Sequence, residues 1–533
     1  MTGRQLLEQN LSRRQAVGDY LHRAAAQIPD KTVFVFQDKR FTYREFNAAV
    51  NRAAHALSAL GMQKGDVMAV MSQNCHQMAI FMWACFKMGI WYSPLNYLLR
   101  NEEIIYQINH SEAKMFMVES ALVEEVSRVM EKLPTVKQYG LINLKGIGMP
   151  EGWIDVDSLW TGDYPETQPE VIIQDDDIAS LIYTSGTTAA PKGVLLPHRS
   201  YFSMAMNALN PASSNGEETD IYLMNIPLYH VGASSIMVGQ VCAGSMAVAT
   251  YGTDPAEILE LIQKERITTI VWPPTLYAGL LQFPLDKYDL SSLRKLWWFG
   301  GSMPLEVLRK WMGLCPQARF AGHCSQTECN IRFTVAWLDD LPEAGNIIGK
   351  PSSDVEIRLV DSTGNDVPDG EPGEAIMRSP SIMLGYYKDD EGTARTLRHG
   401  WLHTGDVLIK GQDGNYYYYD RVKDMIKSGG VNVACLEVEE VLNRHPDVEI
   451  SAVFSAPHPY WTEGVTAVVV PRRESLVAEE ITEHAKKNLA GYKIPKKVIL
   501  LKASDLPVSP TGKILKRELR EMYKEIYQGE KGK

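Results

Sequence analysis

Strand–helix–strand units recur along the first 350 residues or so, and they constrain the fold more than any other feature. The pattern is clearest where an apolar strand, a helix with an apolar face and a second strand follow in turn: DVMAVMSQN, CHQMAIFMWACFKMG and IWYSPLN, residues 66–96. It returns in GSMAVAT, DPAEILELIQKERI and TTIVWPP, residues 244–274. Such units favour parallel strands with helices packed on the sheet faces. The sequence therefore predicts an α/β fold whose large N-terminal region is built of parallel-type αβ layers.

The sequence pattern changes near residue 350. Short strands broken by Gly, Pro, Asn and Asp turns fill residues 355–387 and predict a small β-rich subdomain at about 350–420. Another strand and helix series begins near residue 425 and predicts a small α+β C-terminal domain. We therefore divide the chain at 420/421 into an N-terminal domain, 1–420, and a C-terminal domain, 421–533. The basic segment that closes the chain, residues 512–533, is expected to be a solvated helix.

Composition excludes several classes of protein. The net charge of −11 argues against nucleic acid or an anionic membrane as the main partner. The 7 cysteines form no CxxC pair, which favours reduced thiols and no zinc site. Neither a signal peptide nor an apolar run long enough for a membrane span is visible. A cytoplasmic protein without integral membrane association is expected, and the sequence leaves open a homodimer.

The stretch YTSGTTAAPKGVLLPHRS, residues 183–200, combines hydroxyl side chains, glycines and Lys192. It is not a Walker loop, because Pro191 precedes the lysine and Gly193 follows it. Consecutive backbone N–H groups together with the lysine are nevertheless typical of a polyphosphate nest. The candidate phosphate ligands are Thr184, Ser185, Gly186, Thr187, Thr188 and Lys192.

Four further segments place polar groups in apparent loops. WWFGGSMP (297–304) puts Gly300 and Gly301 after a strand, where a planar ligand could lie against the backbone. GHCSQTECN (322–330) offers Thr327 for a phosphate and Glu328 for Mg²⁺, which needs only one or two carboxylates besides phosphate oxygens. GWLHTGD (400–406) ends on Asp406, a carboxylate suited to two ribose hydroxyls. The fifth consists of YYYYDRVKDMIKSGGVNV (416–433) and, further on, PVSPTGKILKREL (507–519). Each segment alone is also typical of an ordinary loop.

Taken in this order, the five segments resemble the adenylate-forming superfamily of acyl-CoA synthetases, firefly-type luciferases and peptide-synthetase adenylation domains. The resemblance runs from about residue 15 to 520. It implies that ATP, Mg²⁺ and a carboxylic acid meet between the two domains. It also implies that the acid becomes an acyl-adenylate and then a thioester of CoA.

The resemblance assigns a role to each candidate residue. Gly301, Ser302 and Met303 would border the adenine, Thr327 the α-phosphate, and Asp406 with Arg421 the ribose, while Glu328 would hold Mg²⁺. Lys513 matches the catalytic lysine, whose charge would stabilise the pentacoordinate transition state. A mobile C-terminal domain would rotate about a hinge at Lys423 for the second half reaction, bringing Gly429 and Gly430 to the pantetheine arm. The acyl and CoA surface would include His230, Trp298, Phe299, Gly322 and His323.

The sequence departs from the family pattern at several positions. Ala189 replaces a glycine in the phosphate loop, and Cys324 with Ser325 replaces the aromatic–glycine pair before Thr327. Near the hinge, Val431, Ala434 and Cys435 stand where Glu, an aromatic residue and proline are common. We expect these changes to affect ATP or CoA affinity, whereas the charged catalytic positions are unaltered.

The leading hypothesis is an ATP-dependent, AMP-forming acid–CoA ligase. A stand-alone adenylating enzyme that serves a carrier protein is the alternative, and only 20 residues follow Lys513, too few for an attached carrier. A luciferase-like oxygenase and a non-catalytic nucleotide sensor remain further options. The bulky, apolar pocket candidates favour a medium-chain fatty, aryl or alicyclic acid over an amino acid.

Overall fold

The computed structural model describes residues 2–184, 191–210, 216–330, 346–429, 431–508 and 514–528, together with the backbone of strand Thr334–Trp337. Within these ranges the strands form three sheets, two in the N-terminal region and one in the C-terminal region.

The strands up to residue 337 are β1 (Thr32–Phe36), β2 (Lys39–Thr42), β3 (Val67–Met71), β4 (Trp91–Leu95), β5 (Met115–Glu119), β6 (Gln138–Ile142), β7 (Ile154–Asp155), β8 (Ile178–Thr184), β9 (Lys192–Pro197), β10 (Ile221–Met224), β11 (Met246–Ala249), β12 (Thr269–Trp272), β13 (Lys295–Phe299), β14 (Arg319–Cys324) and β15 (Thr334–Trp337). The later strands are β16 (Ile347–Pro351), β17 (Glu356–Val360), β18 (Pro372–Arg378), β19 (Gly385–Tyr386), β20 (Leu397–Arg398), β21 (Trp401–Lys410), β22 (Tyr416–Arg421), β23 (Ile426–Ser428), β24 (Val431–Val433), β25 (Val448–His458), β26 (Thr462–Pro471) and β27 (Lys497–Leu500).

The α-helices are α1 (Gly3–Arg13), α2 (Gly18–Gln27), α3 (Tyr43–Ala59), α4 (His76–Met88), α5 (Asn101–Ser111), α6 (Val123–Ser127), α7 (Val156–Thr161), α8 (His198–Leu209), α9 (Val231–Cys242), α10 (Pro255–Lys264), α11 (Pro274–Leu280), α12 (Leu305–Leu314), α13 (Asp390–Thr396), α14 (Cys435–Asn443), α15 (Ala478–Asn488) and α16 (Lys516–Met522). Short 3₁₀ helices lie at Ser120–Leu122, Met130–Lys132, Leu285–Lys287, Thr327–Cys329 and Ala503–Asp505.

The two N-terminal sheets confirm the predicted parallel αβ layers. In the first, the order is β19-β9-β8-β4-β3-β5-β6-β7, and the pairs from β8 through β4, β3, β5 and β6 to β7 are parallel. In the second, β1 and β10 to β14 are paired in parallel. The predicted helix-stop signal is also present, since Gly89 caps the C-terminus of α4 in the left-handed conformation with φ 66°.

The β-rich subdomain is an extension of the second sheet. Strands β15, β16, β22, β21, β18 and β17 continue that sheet beyond β14 through antiparallel pairs. The sheet therefore changes from parallel to antiparallel after β14. The segment that follows β14 reaches β21, because Gln326 Nε2 lies 2.6 Å from Asp406 Oδ2.

The C-terminal region has its own sheet, ordered β24-β23-β26-β25 with β27 paired to β26, and its own apolar core between that sheet and helices α14 and α15. The α/β fold class with a smaller α+β C-terminal region is thereby confirmed. The division at 420/421 stays a prediction, and it falls one residue before the end of β22.

The helix expected at the C-terminus is present as α16, and Arg517, Glu518 and Glu521 are exposed, but the expectation of a fully solvated segment is wrong. Leu519 on α16 is fully buried, and the Tyr527 hydroxyl lies 2.9 Å from the hydroxyl of Thr466 on β26. Lys516 Nζ lies 2.8 Å from Glu439 Oε1 on α14. The basic residues of this segment suggested a solvated face, whereas Leu519 packs in a second apolar cluster with Ala452, Phe454, Val468 and Val470 of β25 and β26. Within the described residues, no helix combines the length and the apolar character needed to cross a membrane.

Candidate active site

The predicted phosphate stretch is anchored by a β-hairpin. Strands β8 and β9 pair antiparallel, with Thr184 directly opposite Lys192 at the open end of the ladder. Ser185, Gly186, Thr187, Thr188 and Ala189 lie outside the described residues. Because Thr184 and Lys192 bracket these residues, the hairpin determines where the candidate phosphate loop begins and ends.

Lys192 contacts two residues that the sequence analysis did not select. Its ammonium lies 4.3 Å from the ring centroid of Tyr386 and 3.3 Å from Asp389 Oδ2. Strand β19 pairs with β9, Tyr386 being opposite Val194, which brings these partners beside the lysine. A cation over an aromatic face and next to a carboxylate is held in place by both contacts.

Glu328 lies on the 3₁₀ helix Thr327–Cys329 that directly follows β14. Its Oε1 accepts a hydrogen bond of 2.8 Å from the Tyr386 hydroxyl, and its backbone oxygen accepts one of 2.9 Å from the Met383 N–H. One half-buried carboxylate with an oxygen already oriented suits Mg²⁺, which takes its remaining ligands from phosphate and water. Within the described residues no cluster of three or more His, Cys, Asp or Glu side chains could hold a metal ion, so protein ligands alone do not form such a site there.

Asp406 and Arg421 come together on neighbouring strands. Arg421 Nε lies 3.0 Å from Asp406 Oδ1, and the Asp406 side chain is almost fully buried. Gln326 connects this pair to the Thr327–Glu328 segment, because its side-chain amide donates to Asp406 Oδ2 at 2.6 Å and to the Thr404 carbonyl at 2.7 Å. Gln326 was not among the residues predicted from the sequence, although its place directly before Thr327 in a polar loop was an available signal.

The residues predicted to border an adenine follow β13. Gly300 adopts φ +80°, and Gly301 lies on an exposed turn where an added Cβ would meet no atom closer than 4.0 Å. Met303 packs in the second hydrophobic core, under α12. The turn thus leaves an open backbone surface at Gly301, while Met303 anchors it.

The predicted acyl-pocket residues divide between two sheet faces. Phe299 pairs with His323 across β13 and β14, so both side chains share one face. Trp298 points to the opposite face and packs in the second core, where its indole lies against Gly322 and an added Cβ there would approach Trp298 Cζ2 to 2.9 Å. The structure therefore brings Phe299 and His323 together and places Trp298 behind them.

His230 sits at the beginning of α9. Its Nδ1 accepts a 3.1 Å hydrogen bond from the Gly232 N–H, so the side chain caps the helix. The residue is half-buried. A cap fixes the ring orientation but leaves its assignment to the acyl or pantetheine surface a prediction.

In the C-terminal region, the backbone conformation and the packing at Gly429 both require a glycine. It adopts φ +60°, and an added Cβ would lie 2.8 Å from Cε3 of Trp461, a residue the sequence analysis did not select. Gly429 N–H also donates to the Trp461 carbonyl at 2.9 Å. Gly430 and Lys513 lie outside the described residues, whereas Lys423 lies in an exposed turn after β22.

The turn around Lys423 is bridged by a buried carboxylate. Asp420 Oδ2 accepts a 2.5 Å hydrogen bond from the Cys435 N–H at the start of α14, and burial raises the pKa of Asp420 to about 6. Cys435 Sγ donates to the Asp424 carbonyl at 3.0 Å. The cysteine at this departure from the family pattern thus makes a buried contact within the turn.

The chain is similar to known proteins over most of its length. Residues 21–387 match the profile of the AMP-binding enzyme family, and residues 437–513 match the profile of the AMP-binding enzyme C-terminal domain. The chain is 32% identical over 520 residues to a feruloyl-CoA synthase of Amycolatopsis, covering 96% of this chain and all of that protein. It is 30% identical over 528 residues to a long-chain-fatty-acid–CoA ligase of Thermus thermophilus, covering 96% of each chain. Among solved structures, the anthranilate CoA ligase AuaEII in complex with anthranoyl-AMP superposes with a TM-score of 0.89 at 27% identity, covering 96% of this chain and 98% of that one.

Proposed function

This chain belongs to the AMP-binding enzyme family, in its acyl-CoA ligase branch, and from that premise we propose that its substrate is a carboxylic acid with an apolar body. The ligase uses ATP and CoA. It activates the acid as an acyl-adenylate and transfers the acyl group to the CoA thiol.

One observation carries the assignment of the site. The Thr327–Cys329 helix lies between two charged groups from distant parts of the chain, joined to Lys192 through Tyr386 and to Asp406 through Gln326. A nucleotide needs a cation near its phosphates and an acceptor near its ribose, and the contacts of this segment with both charged groups support the proposed site.

The nucleotide contacts follow from this arrangement. Lys192 would pair with the β- and γ-phosphates, together with Thr184 and the residues of the loop, Ser185, Gly186, Thr187 and Thr188. Asp406, backed by Arg421, would accept the ribose hydroxyls, and Gly301, Ser302 and Met303 would border the adenine. Glu328 would hold Mg²⁺, which when bound neutralises charge on the phosphate oxygens.

In the first half reaction the substrate carboxylate oxygen attacks the α-phosphorus, and pyrophosphate leaves. No protein nucleophile is required, so the chain contributes orientation and positive charge. Thr327 would orient the α-phosphate, and Lys513 would stabilise the charge that builds up in the pentacoordinate transition state. Loss of one such stabilising group typically costs about 10²–10³ in rate.

In the second half reaction the CoA thiol attacks the acyl carbonyl, and AMP leaves. The lysine loop must withdraw to admit the thiol, and rotation of the C-terminal region about Lys423 would achieve this. Gly429 and Gly430 would then border the pantetheine arm, with His230 at its entrance.

The proposed acid class rests on the aromatic residues of one sheet face. Phe299 and His323 share a sheet face with Trp297, whose ring lies 5.2 Å from that of His323 at an interplanar angle of 90°. Aromatic side chains favour a flat or apolar acid body. We therefore propose an aryl, alicyclic or medium-chain fatty acid. A cytoplasmic location and a homodimer belong to the same proposal.

The test is a reaction containing ATP, Mg²⁺, CoA and a mixed pool of carboxylic acids, with product identification by mass spectrometry. We expect acyl-CoA and AMP, formed from an aryl, alicyclic or medium-chain acid. K513A, measured alongside, should lower adenylation strongly. Thioesters of amino acids alone would overturn the acid class.

A further inference from the structure

Tyr386 makes two contacts at once, one with each charged group on the phosphate side of the site. Its hydroxyl donates to Glu328 Oε1 at 2.8 Å, and its ring centroid lies 4.3 Å from Lys192 Nζ. Glu328 and Lys192 are therefore separated by one aromatic side chain. The hydroxyl contacts the Glu328 carboxylate, and the ring contacts the Lys192 ammonium.

The side chain between them is held firmly. Tyr386 is 8% exposed, and its N–H donates to Thr393 Oγ1 at 2.8 Å. The flanking residues pair with the strand that carries Lys192, because Leu384 N–H donates to the Leu195 carbonyl at 2.9 Å and Tyr387 N–H to the Gly193 carbonyl at 2.7 Å. Strand β19 thus positions the tyrosine relative to the lysine through backbone contacts.

We propose that Tyr386 is a positioning residue that fixes the Glu328 carboxylate relative to Lys192, so that a metal ion and the lysine engage the same polyphosphate. This inference rests on the proposed nucleotide site. The hydroxyl orients one carboxylate oxygen and leaves the other for the metal. A carboxylate without this donor samples other rotamers, and its orientation must then be fixed during binding at an entropic cost.

Asp389 allows the contacts of Lys192 to be tested separately from those of Glu328. Its Oδ2 lies 3.3 Å from Lys192 Nζ, while its Oδ1 accepts a 2.7 Å hydrogen bond from the Gly392 N–H. Removing its charge affects only the lysine side. Removing the Tyr386 hydroxyl removes the donor to Glu328 but keeps the contact with Lys192, since phenylalanine retains the aromatic face.

The neighbouring Tyr387 is a matched control. Its hydroxyl donates to Glu112 Oε2 at 3.1 Å, and Lys388 Nζ lies 4.9 Å from its ring centroid. The same two kinds of contact therefore occur one residue along the chain, with partners that have no proposed role in the site.

The experiment is calorimetric binding of ATP to the full chain without acid or CoA, with Mg²⁺ and with metal removed by chelation. Y386F should weaken binding roughly ten-fold when Mg²⁺ is present, the expected loss for a hydrogen bond to a charged group, and should leave metal-free binding unchanged. Mn²⁺ binding followed by electron paramagnetic resonance in the presence of ATP should show the same loss. Y387F should match the wild type, and D389N should alter binding equally with and without metal.

Two outcomes would overturn the proposal: Y386F binding as the wild type does, or losing affinity equally in both conditions. A double variant guards against a mere folding defect, because Y386F should add nothing to E328Q if the tyrosine acts through the carboxylate. E328Q and K192M distinguish a failure of the proposed nucleotide site from a failure of the proposed role of Tyr386. If both bind ATP with Mg²⁺ normally, the proposed nucleotide site is wrong; if both fail and Y386F is normal, only the role of Tyr386 is wrong.

Discussion

Asp406 and Arg421 are directly opposed on β21 and β22, and the guanidinium Nε lies 3.0 Å from the carboxylate Oδ1. The Asp406 residue is 2% exposed, whereas the Arg421 side chain is 40% exposed. Burying a carboxylate is costly unless hydrogen-bonding partners compensate it, and Gln326 supplies another donor at 2.6 Å. The pair therefore holds a carboxylate acceptor at the proposed ribose position.

D406N should impair ATP binding and stability together. It preserves the shape but removes the charge that Arg421 needs, so we expect a loss of about 2 kcal/mol in the free energy of unfolding. The KM for ATP should rise roughly ten-fold, while the KM for the acid stays near the wild-type value. Urea unfolding and steady-state kinetics measure the two effects.

The matched control is D366N. Asp366 forms a 2.7 Å ion pair with Arg358 in the same β-rich subdomain, but both side chains are exposed. The change should stay within about 0.5 kcal/mol and leave the KM for ATP unaltered. A D406N enzyme with normal ATP kinetics would remove Asp406 from the nucleotide site.

W298F and F299L should separate core packing from acid selection. Trp298 belongs to the second core, so W298F should lower the free energy of unfolding by about 1–3 kcal/mol and leave the preference among acids unchanged. Phe299 shares the face of His323, so F299L should change the ratio of kcat/KM between aryl and straight-chain acids by roughly ten-fold. Competition among acids, followed by mass spectrometry of the thioesters, gives this ratio. A changed preference in W298F alone would assign Trp298, rather than Phe299, to the pocket.

G429A should destabilise the C-terminal region and slow thioester formation. The left-handed backbone alone costs about 1–2 kcal/mol for alanine, and the contact with Trp461 adds to it. G364A is the control, because Gly364 has φ +89° with no atom within 4 Å of its added Cβ and pays only the backbone cost. Thermal unfolding should give a lower Tm for G429A than for G364A. Pyrophosphate exchange that falls as far as acyl-CoA formation would contradict a role limited to the second half reaction.

Stability should fall as the pH is lowered from 7 to 5. Burial lowers the pKa of His76 and of His198 to about 4, so the unfolded chain binds more protons than the folded chain between pH 6.5 and 4, and each histidine contributes a loss of about 2 kcal/mol by pH 5. Asp420 acts in the opposite direction, because its raised pKa of about 6 lets the folded state bind its proton first. The expected net loss from these groups is about 2 kcal/mol, measurable as a shift in the urea midpoint. A midpoint that is constant or rises towards pH 5 would show that the buried histidines do not govern this window.

The strands, helices and their order were largely predictable from the sequence, because buried parallel strands are continuous apolar runs and helices carry local stop signals such as Gly89. The candidate site was predictable as a set of motifs. Its connections were not: Gln326 and Tyr386 join segments about 60 to 80 residues apart, and the pairing of β19 with β9 has no local signal. The partial burial of the C-terminal segment was missed for a related reason. Its charge pattern indicated exposure to solvent, while Leu519 and Tyr527 are buried by a sheet that forms elsewhere in the chain.

By itself, the sequence determined the αβ layers, the chemistry of the nucleotide motifs and the family that those motifs resemble. All three depend on residue type and local spacing, which can be read directly from the sequence. Only the tertiary structure decided which face of β13 carries Phe299 and which carries Trp298, why Gly429 tolerates no side chain, and which residue stands between Glu328 and Lys192. Those outcomes depend on sheet register and on packing between distant segments, where a shift of one residue would reverse the face of every side chain.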